Sequence, residues 1–188
     1  SWSATGVSID TRTIQPGDLF VALKADRDGH EFVNNAFDNG AVAALVDHIP
    51  EGFDTSFPLL VVPDVMEAFR AMARFARNRL KGKVIAVTGS VGKTSTKDIL
   101  AKMLSLFGVI HMSPKSFNNH FGVPLSLSQL KIEHKFGVFE VGMSQKGEID
   151  KLTKLIRPNL GIITNIGEAH IENFKNLRGI ADAKGEII

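Results

Sequence analysis

Cysteine is absent from the 188 residues, which removes any disulfide framework and fits a reducing, cytoplasmic setting. The start of the chain has no basic segment followed by an apolar stretch and a small-residue cleavage site, so no secretory signal is read there. Long apolar runs are missing too. The aliphatic segments are too short and too often interrupted to cross a bilayer, which argues against membrane insertion. Charge of one sign is not in excess: 22 Lys and Arg face 20 Asp and Glu, a formal net charge of +2, and the signs are interleaved along the chain. No basic stripe carries aromatic residues, so a nucleic-acid partner is not expected. Internal repeats and low-complexity segments are also lacking.

The composition is that of a globular chain, 44% hydrophobic and 22% charged, long enough for one ordinary domain or two small ones. It begins at Ser1 and stops at Ile188 within an expected helix, so a longer parent protein is expected.

The hydrophobic pattern alternates between short buried strands and amphipathic helices. Strands are predicted at 18–23, 42–46 and 59–62, with a short helix at 30–39 ending at Gly40. A longer helix opens after Asp64, with Glu67 three residues on as in a capping box. Its inward stripe is expected to be Val65, Phe69, Met72, Ala76 and Leu80, with Arg70, Arg74, Arg77 and Arg79 mostly on a solvated face. Lys81-Gly82-Lys83 punctuates the chain, and the domain boundary is placed near residue 82. Beyond it come strands at 84–88, 109–112, 137–141 and 160–166, and helices at 93–107 and 147–156. Ile99, Leu100, Met103, Leu104 and Phe107 are expected to face the core. This rhythm predicts an α/β fold: a small N-terminal α/β domain over 1–82, then a mainly parallel-sheet domain over 83–188.

Thr88 to Ser95, TGSVGKTS, joins an apolar strand to an amphipathic helix. In that context a glycine-lysine-threonine match marks a phosphate-binding loop. Gly89 and Gly92 let the backbone curl with N–H groups inward, and the helix that follows adds unpaired N–H groups and the positive end of its dipole. Lys93 is placed for the β- and γ-phosphates of ATP and the Thr94 hydroxyl for magnesium, with Ser90 and Ser95 completing the loop. Val87 stands where the widespread form has a glycine, so the loop is a variant.

Magnesium calls for oxygen ligands at the C-terminal ends of the strands. Glu140 interrupts an apolar strand, where an acid is either functional or turned to solvent. TNIGEAH puts Thr164, Asn165 and His170 at the same sheet edge, though a single histidine is more often structural. Asn118 and Asn119 read as turn formers in isolation. Lys184 shares a helix face with Ile180 and Ile188, yet a lone helical lysine is usually solvated.

Taken together, the blocks resemble the Mur ligases, ATP-dependent enzymes of peptidoglycan construction. These blocks are DTRTIQPGDLFVAL from Asp10, DGHEFV from Asp28, TGSVGKTS, NNHFGVPL from Asn118, FEVGMSQKGEI from Phe139, ITNIGEAHIENF from Ile163 and AKGEI from Ala183. The resemblance spans nearly the whole chain and is nearest the members that add a dipeptide. It implies three domains: an N-terminal one for a UDP-sugar, a central ATPase that is incomplete here, and a C-terminal one that is absent. It also implies that UDP-N-acetylmuramoyl-tripeptide is activated by ATP as an acyl phosphate and attacked by D-alanyl-D-alanine. By the same resemblance Thr94, Glu140 and His170 hold magnesium, and Lys184 is carbamylated to act as a further ligand. Asn118 or Asn119 approaches the nucleotide, and Thr11 and Arg12 the UDP diphosphate. A monomer is expected, and this chain alone is expected to turn over poorly or not at all. A sister ligase adding a single amino acid and a non-catalytic nucleotide-binding remnant are the alternatives.

Overall fold

The structure is a computed structural model that describes residues 2–54, 56–169 and 171–188. Its contacts divide the chain into two units, Ser1–Met72 and Ala73–Ile188.

In the first unit, β1 (Gly6–Ser8), β2 (Asp18–Val21), β3 (Ala43–Val46) and β4 (Leu59–Val61) form a parallel sheet in that order. The helix α1 (Val33–Asp38) follows a 3₁₀ turn at Gly29–Phe32. β2 and β3 are buried throughout, as continuous apolar runs in a covered parallel sheet should be. Their Phe20, Ala44 and Val46 pack with Val33 and Phe37 of α1. Leu60 and Val61 of β4 are exposed, consistent with an edge strand. β1 escapes a pattern reading because Gly-Val-Ser holds a single apolar residue and offers no run to read.

The helix α2 (Val65–Arg79) crosses the division between the units. Asp64 caps it, its Oδ1 accepting the Glu67 N–H at 2.8 Å. The contact division falls inside α2 and ahead of residue 82, because from Ala73 onward its inward residues Ala73, Ala76 and Leu80 join the second unit's core. Met72 is only half-buried; Ala73 takes the inward position. Arg77 and Arg79 are not simply solvated. Arg77 donates to the Ile156 and Arg157 carbonyls at 2.6 and 2.7 Å, and Arg79 to the Leu130 carbonyl at 2.7 Å. Both satisfy carbonyls at or just beyond helix C-termini, which otherwise lack partners.

The second unit runs β5 (Lys83–Thr88), α3 (Lys93–Leu104), β6 (Ile110–Met112), α4 (Gly122–Ser128), β7 (Phe136–Glu140), α5 (Glu148–Ile156), β8 (Leu160–Ile163) and α6 (Leu177–Gly185). The sheet is parallel, ordered β6-β7-β5-β8. One face packs against the end of α2, α4, α5 and α6 through Ala86, Phe139, Val141, Leu127, Ile149, Ile156, Ile180 and Ile187. The other face, Ile85, Val87 and Val138, meets Leu100 and Leu104 of α3.

On α3 the expected inward set is partly reversed. Ile99, Met103 and Phe107 are exposed, while Lys97 and Ala101 are the buried residues. Apolar spacing identified the helix and placed Leu100 and Leu104 correctly toward the sheet, but it did not give the full set of covered positions. Among the described residues, no helix is long and apolar enough to cross a membrane.

Candidate nucleotide and metal site

β5 ends at Thr88 in the middle of the second sheet, and the chain turns through Gly89 to Gly92 into α3. Two positions require glycine. Gly92 has φ 81°, the left-handed region that side chains disfavour, and a Cβ on Gly89 would be driven into Thr164 Oγ1. The loop is laced to the segment that follows β8. Asn165 Oδ1 accepts the Ser90 and Val91 N–H groups at 3.1 and 3.0 Å. Ser90 Oγ donates to the Gly167 carbonyl and accepts the Gly167 N–H, both at 2.9 Å, and Thr164 Oγ1 donates to the Val91 carbonyl at 2.6 Å.

Two of the loop amides are therefore already occupied. The amides of Gly92, Lys93, Thr94 and Ser95 have no acceptor among the described residues, and no side chain caps the helix. Four unpaired donors at the positive end of a twelve-residue helix make an anion cradle. Lys93 folds back beside it, its Nζ donating to the Gly89 carbonyl at 2.8 Å.

Glu140 closes β7. Alternation puts it on the same face as Val138, toward α3, and the register sets it beside Val87. It is 1% exposed, so its position in an apolar strand reflects burial rather than a turn to solvent. Each carboxylate oxygen has one protein donor: Thr94 Oγ1 donates to Oε2 at 2.8 Å and Asn118 Nδ2 to Oε1 at 2.7 Å. A buried carboxylate with a hydroxyl beside it is a hard oxygen set of the kind magnesium takes. Thr94, which supplies the hydroxyl, is itself one of the four residues whose free amides would hold phosphate.

Asn118 and Asn119 divide their work. Asn118 is turned onto Glu140, and its carbonyl also accepts the Gly142 N–H at 2.8 Å. Asn119 Oδ1 accepts the Phe121 and Gly122 N–H groups at the start of α4. In this structure both amide side chains are engaged by protein.

Lys184, on α6, is 3% exposed and has no hydrogen-bond partner among the described residues. Burial, with the nearby charge of Lys93, lowers its pKa from 10.5 to about 8. Helix α6 is clasped to α5 by Glu186, whose carboxylate accepts the Gly147 and Asp150 N–H groups at 2.9 to 3.1 Å. His170 lies outside the described residues. Thr88 Oγ1, fully buried where β5 meets the loop, has no partner among the described residues.

In the first unit, Thr11 and Arg12 occupy a 3₁₀ turn after β1. The Arg12 guanidinium is exposed and paired with Asp10 through Nη2–Oδ2 at 2.6 Å, which raises its already high pKa. His30, Asp47 and His48 are close enough to suggest a metal site. Yet both His30 ring nitrogens are in use: Nδ1 lies 2.6 Å from Asp28 Oδ1, and Nε2 accepts the Asp47 N–H at 3.1 Å. This leaves Asp47 and His48 alone, too few for a site.

A pattern reading does not select Lys97, and it places Asn165 at the sheet edge without giving it a task. The spacing of Lys97 four residues before Ala101 on the inward stripe of α3 is the available signal. For Asn165 it is an asparagine at a strand end beside a glycine loop.

Comparison with known proteins adds the following. Residues 87–188 match the Mur ligase middle domain and residues 3–77 the Mur ligase family catalytic domain. The UDP-N-acetylmuramoyl-tripeptide–D-alanyl-D-alanine ligase of Rickettsia prowazekii (strain Madrid E) is 40% identical over 181 residues, 96% of this chain and 40% of that protein. A crystal structure of MurF from Acinetobacter baumannii superposes with a TM-score of 0.84 at 38% identity, over 96% of this chain and 40% of that one. The MurF ligase of Thermotoga maritima in complex with ADP superposes with a TM-score of 0.80 at 32% identity, over 97% and 42%. The chain spans about 40% of the length of the curated relatives it matches.

Proposed function

The chain belongs to the Mur ligase family, and from that premise we propose that it is the UDP-substrate and ATP-binding part of a cytoplasmic ligase joining D-alanyl-D-alanine to UDP-N-acetylmuramoyl-tripeptide. The observation that carries the reading is the buried Glu140 carboxylate bonded to Thr94 beside four unpaired amides at the start of α3. That arrangement suits a metal-bound triphosphate. The relative solved with ADP supports binding of an adenine nucleotide. The lack of cysteine suits the cytoplasm.

On this reading the amides of Gly92 to Ser95 bind phosphate oxygens, and Lys93 leaves the Gly89 carbonyl to meet the β- and γ-phosphates. Thr94 and Glu140 would hold one magnesium, and His170 with Lys184 a second; the metals supply charge neutralisation while phosphate moves to the substrate carboxylate. The buried amine of Lys184 is suited to its part. A neutral amine adds to carbon dioxide, forming an N–C bond and releasing a proton, which turns a cation into a carboxylate-like ligand. Asn118 acts by orienting Glu140, and Asn119 by fixing the start of α4 near the nucleotide. In the first unit, Thr11 and Arg12 bind the UDP diphosphate, with Arg12 exchanging Asp10 for phosphate oxygens.

Calorimetry of ATP with magnesium, comparing the chain with Lys93→Ala, tests the site. At least a tenfold loss in the variant is expected from removing a phosphate-binding cation; equal binding would remove the phosphate-loop assignment. In the longer protein, phosphate release should require both UDP-N-acetylmuramoyl-tripeptide and D-alanyl-D-alanine. Release with a single amino acid instead would assign the sister reaction.

A further inference from the structure

Lys97 is the buried cation that the reading above leaves without a task. It sits on α3 one turn after Lys93 and is 1% exposed. Its Nζ donates to the Ser113 carbonyl at 2.9 Å and the Lys115 carbonyl at 2.6 Å, and lies 3.3 Å from Asp98 Oδ1. Burying an ammonium is costly unless it is bonded and its charge is balanced, and here two carbonyls accept from it while the Asp98 carboxylate balances its charge.

The two carbonyls belong to the turn that follows β6, where Lys115 takes a left-handed φ of 49°. That turn leads to Asn118, which bonds Glu140 Oε1 and, through its carbonyl, the Gly142 amide beyond β7. Ser113 contributes again from the same turn. Its Oγ accepts the Glu140 N–H at 3.3 Å, and Ser126 Oγ donates to it at 3.4 Å. Glu140 is thus held by two arms, Thr94 from α3 and Asn118 from the turn, and Lys97 is the tie between α3 and that turn.

We propose that Lys97 is a positioning residue for the metal-binding carboxylate: by pinning the Ser113–Lys115 turn to the phosphate-loop helix, it sets Asn118 against Glu140 before magnesium or nucleotide arrives. This rests on the nucleotide-and-magnesium reading of the site. Lys97 touches neither phosphate nor metal. Its removal therefore acts on the magnesium-dependent part of nucleotide binding and leaves the metal-free part, which the loop amides and Lys93 supply.

The test is a double-mutant cycle on the 188-residue chain, with ATP affinity measured calorimetrically in magnesium and in EDTA. Wild type and Lys93→Ala come first; if magnesium does not strengthen ATP binding by the wild type, the underlying reading fails, whatever Lys97 does. Given that control, Lys97→Met lowers the ratio of affinities with and without magnesium about tenfold, and Asn118→Ala does the same. The double variant lowers it no further than the worse single one, because both act through one contact. Lys97→Gln, which keeps two amide protons for the same carbonyls, recovers part of the ratio and carries the cycle if the methionine variant does not fold. Additive losses of about a hundredfold, an equal loss with and without magnesium, or no loss at all would overturn the proposal.

Discussion

His111 offers a direct test of the polar scaffold beneath Glu140. The ring lies on β6, with Nε2 3.0 Å from Ser126 Oγ, and packs against Phe139 and His134. Burial, then the charge of His134, lowers its pKa from 6.5 to about 4. Between those two values the unfolded chain binds a proton at His111 that the folded chain refuses, so stability is full above about 6.5 and falls as pH drops. Worked through linkage, the loss is about 2 kcal/mol by about pH 5 and about 3 kcal/mol by about pH 4. Set against a typical total of about 5–15 kcal/mol, that is large enough to measure. His111→Gln keeps a polar group for Ser126 but cannot titrate, so its stability should vary less with pH through this window. Urea unfolding followed on the β7 amide signals reports the second unit by itself. His134, also lowered by burial, is present in both proteins and cancels in the comparison. Equal pH slopes for wild type and variant, or a His111 resonance with its midpoint near 6.5, would refute the argument.

Two further predictions concern the ligand site. With a pKa near 8, about half of the Lys184 amines are neutral at about pH 8, against about 0.3% for an ordinary lysine. Labelled bicarbonate should therefore give a carbamate carbon signal that Lys184→Arg lacks; a signal of equal size in both would contradict the assignment. Gly89→Ala would force Thr164 Oγ1 out of its contact with the Val91 carbonyl. It should lower ATP affinity at least tenfold while the second unit stays folded, as checked by calorimetry beside circular dichroism.

Much of the second unit is legible in the sequence because its strands are continuous apolar runs and the glycines at 92, 108 and 147 mark where its helices start or stop. Glu140 stands out in the sequence as a charge in an apolar strand, but only its burial decides against a turn to solvent. The parts that were not legible depend on what lies opposite. Ile99, Met103 and Phe107 have helical spacing, but spacing cannot say that the sheet sits under Lys97 and Ala101 instead. The helix α4 follows Asn118 and Asn119, which read as turn formers, and begins at Gly122; Asn119 and burial of nearly every side chain make it helical. Arg77 and Arg79 read as solvated because their acceptors, the carbonyls at Ile156, Arg157 and Leu130, are remote in sequence. Asn165 is similar: its partners at Ser90 and Val91 become neighbours only once β5 and β8 pair. The resemblance named residues that spacing would have passed over, Lys184 above all, whose burial and unpaired amine give that choice a physical basis.

Glu186 has a practical consequence for anyone shortening this polypeptide. Its side chain is the acceptor for the opening amides of α5 and at the same time anchors the end of the helix bearing Lys184. A cut placed directly before Glu186 would spare the proposed phosphate loop yet unfasten the lysine, so a trimmed version could still grip nucleotide while losing carbon dioxide uptake.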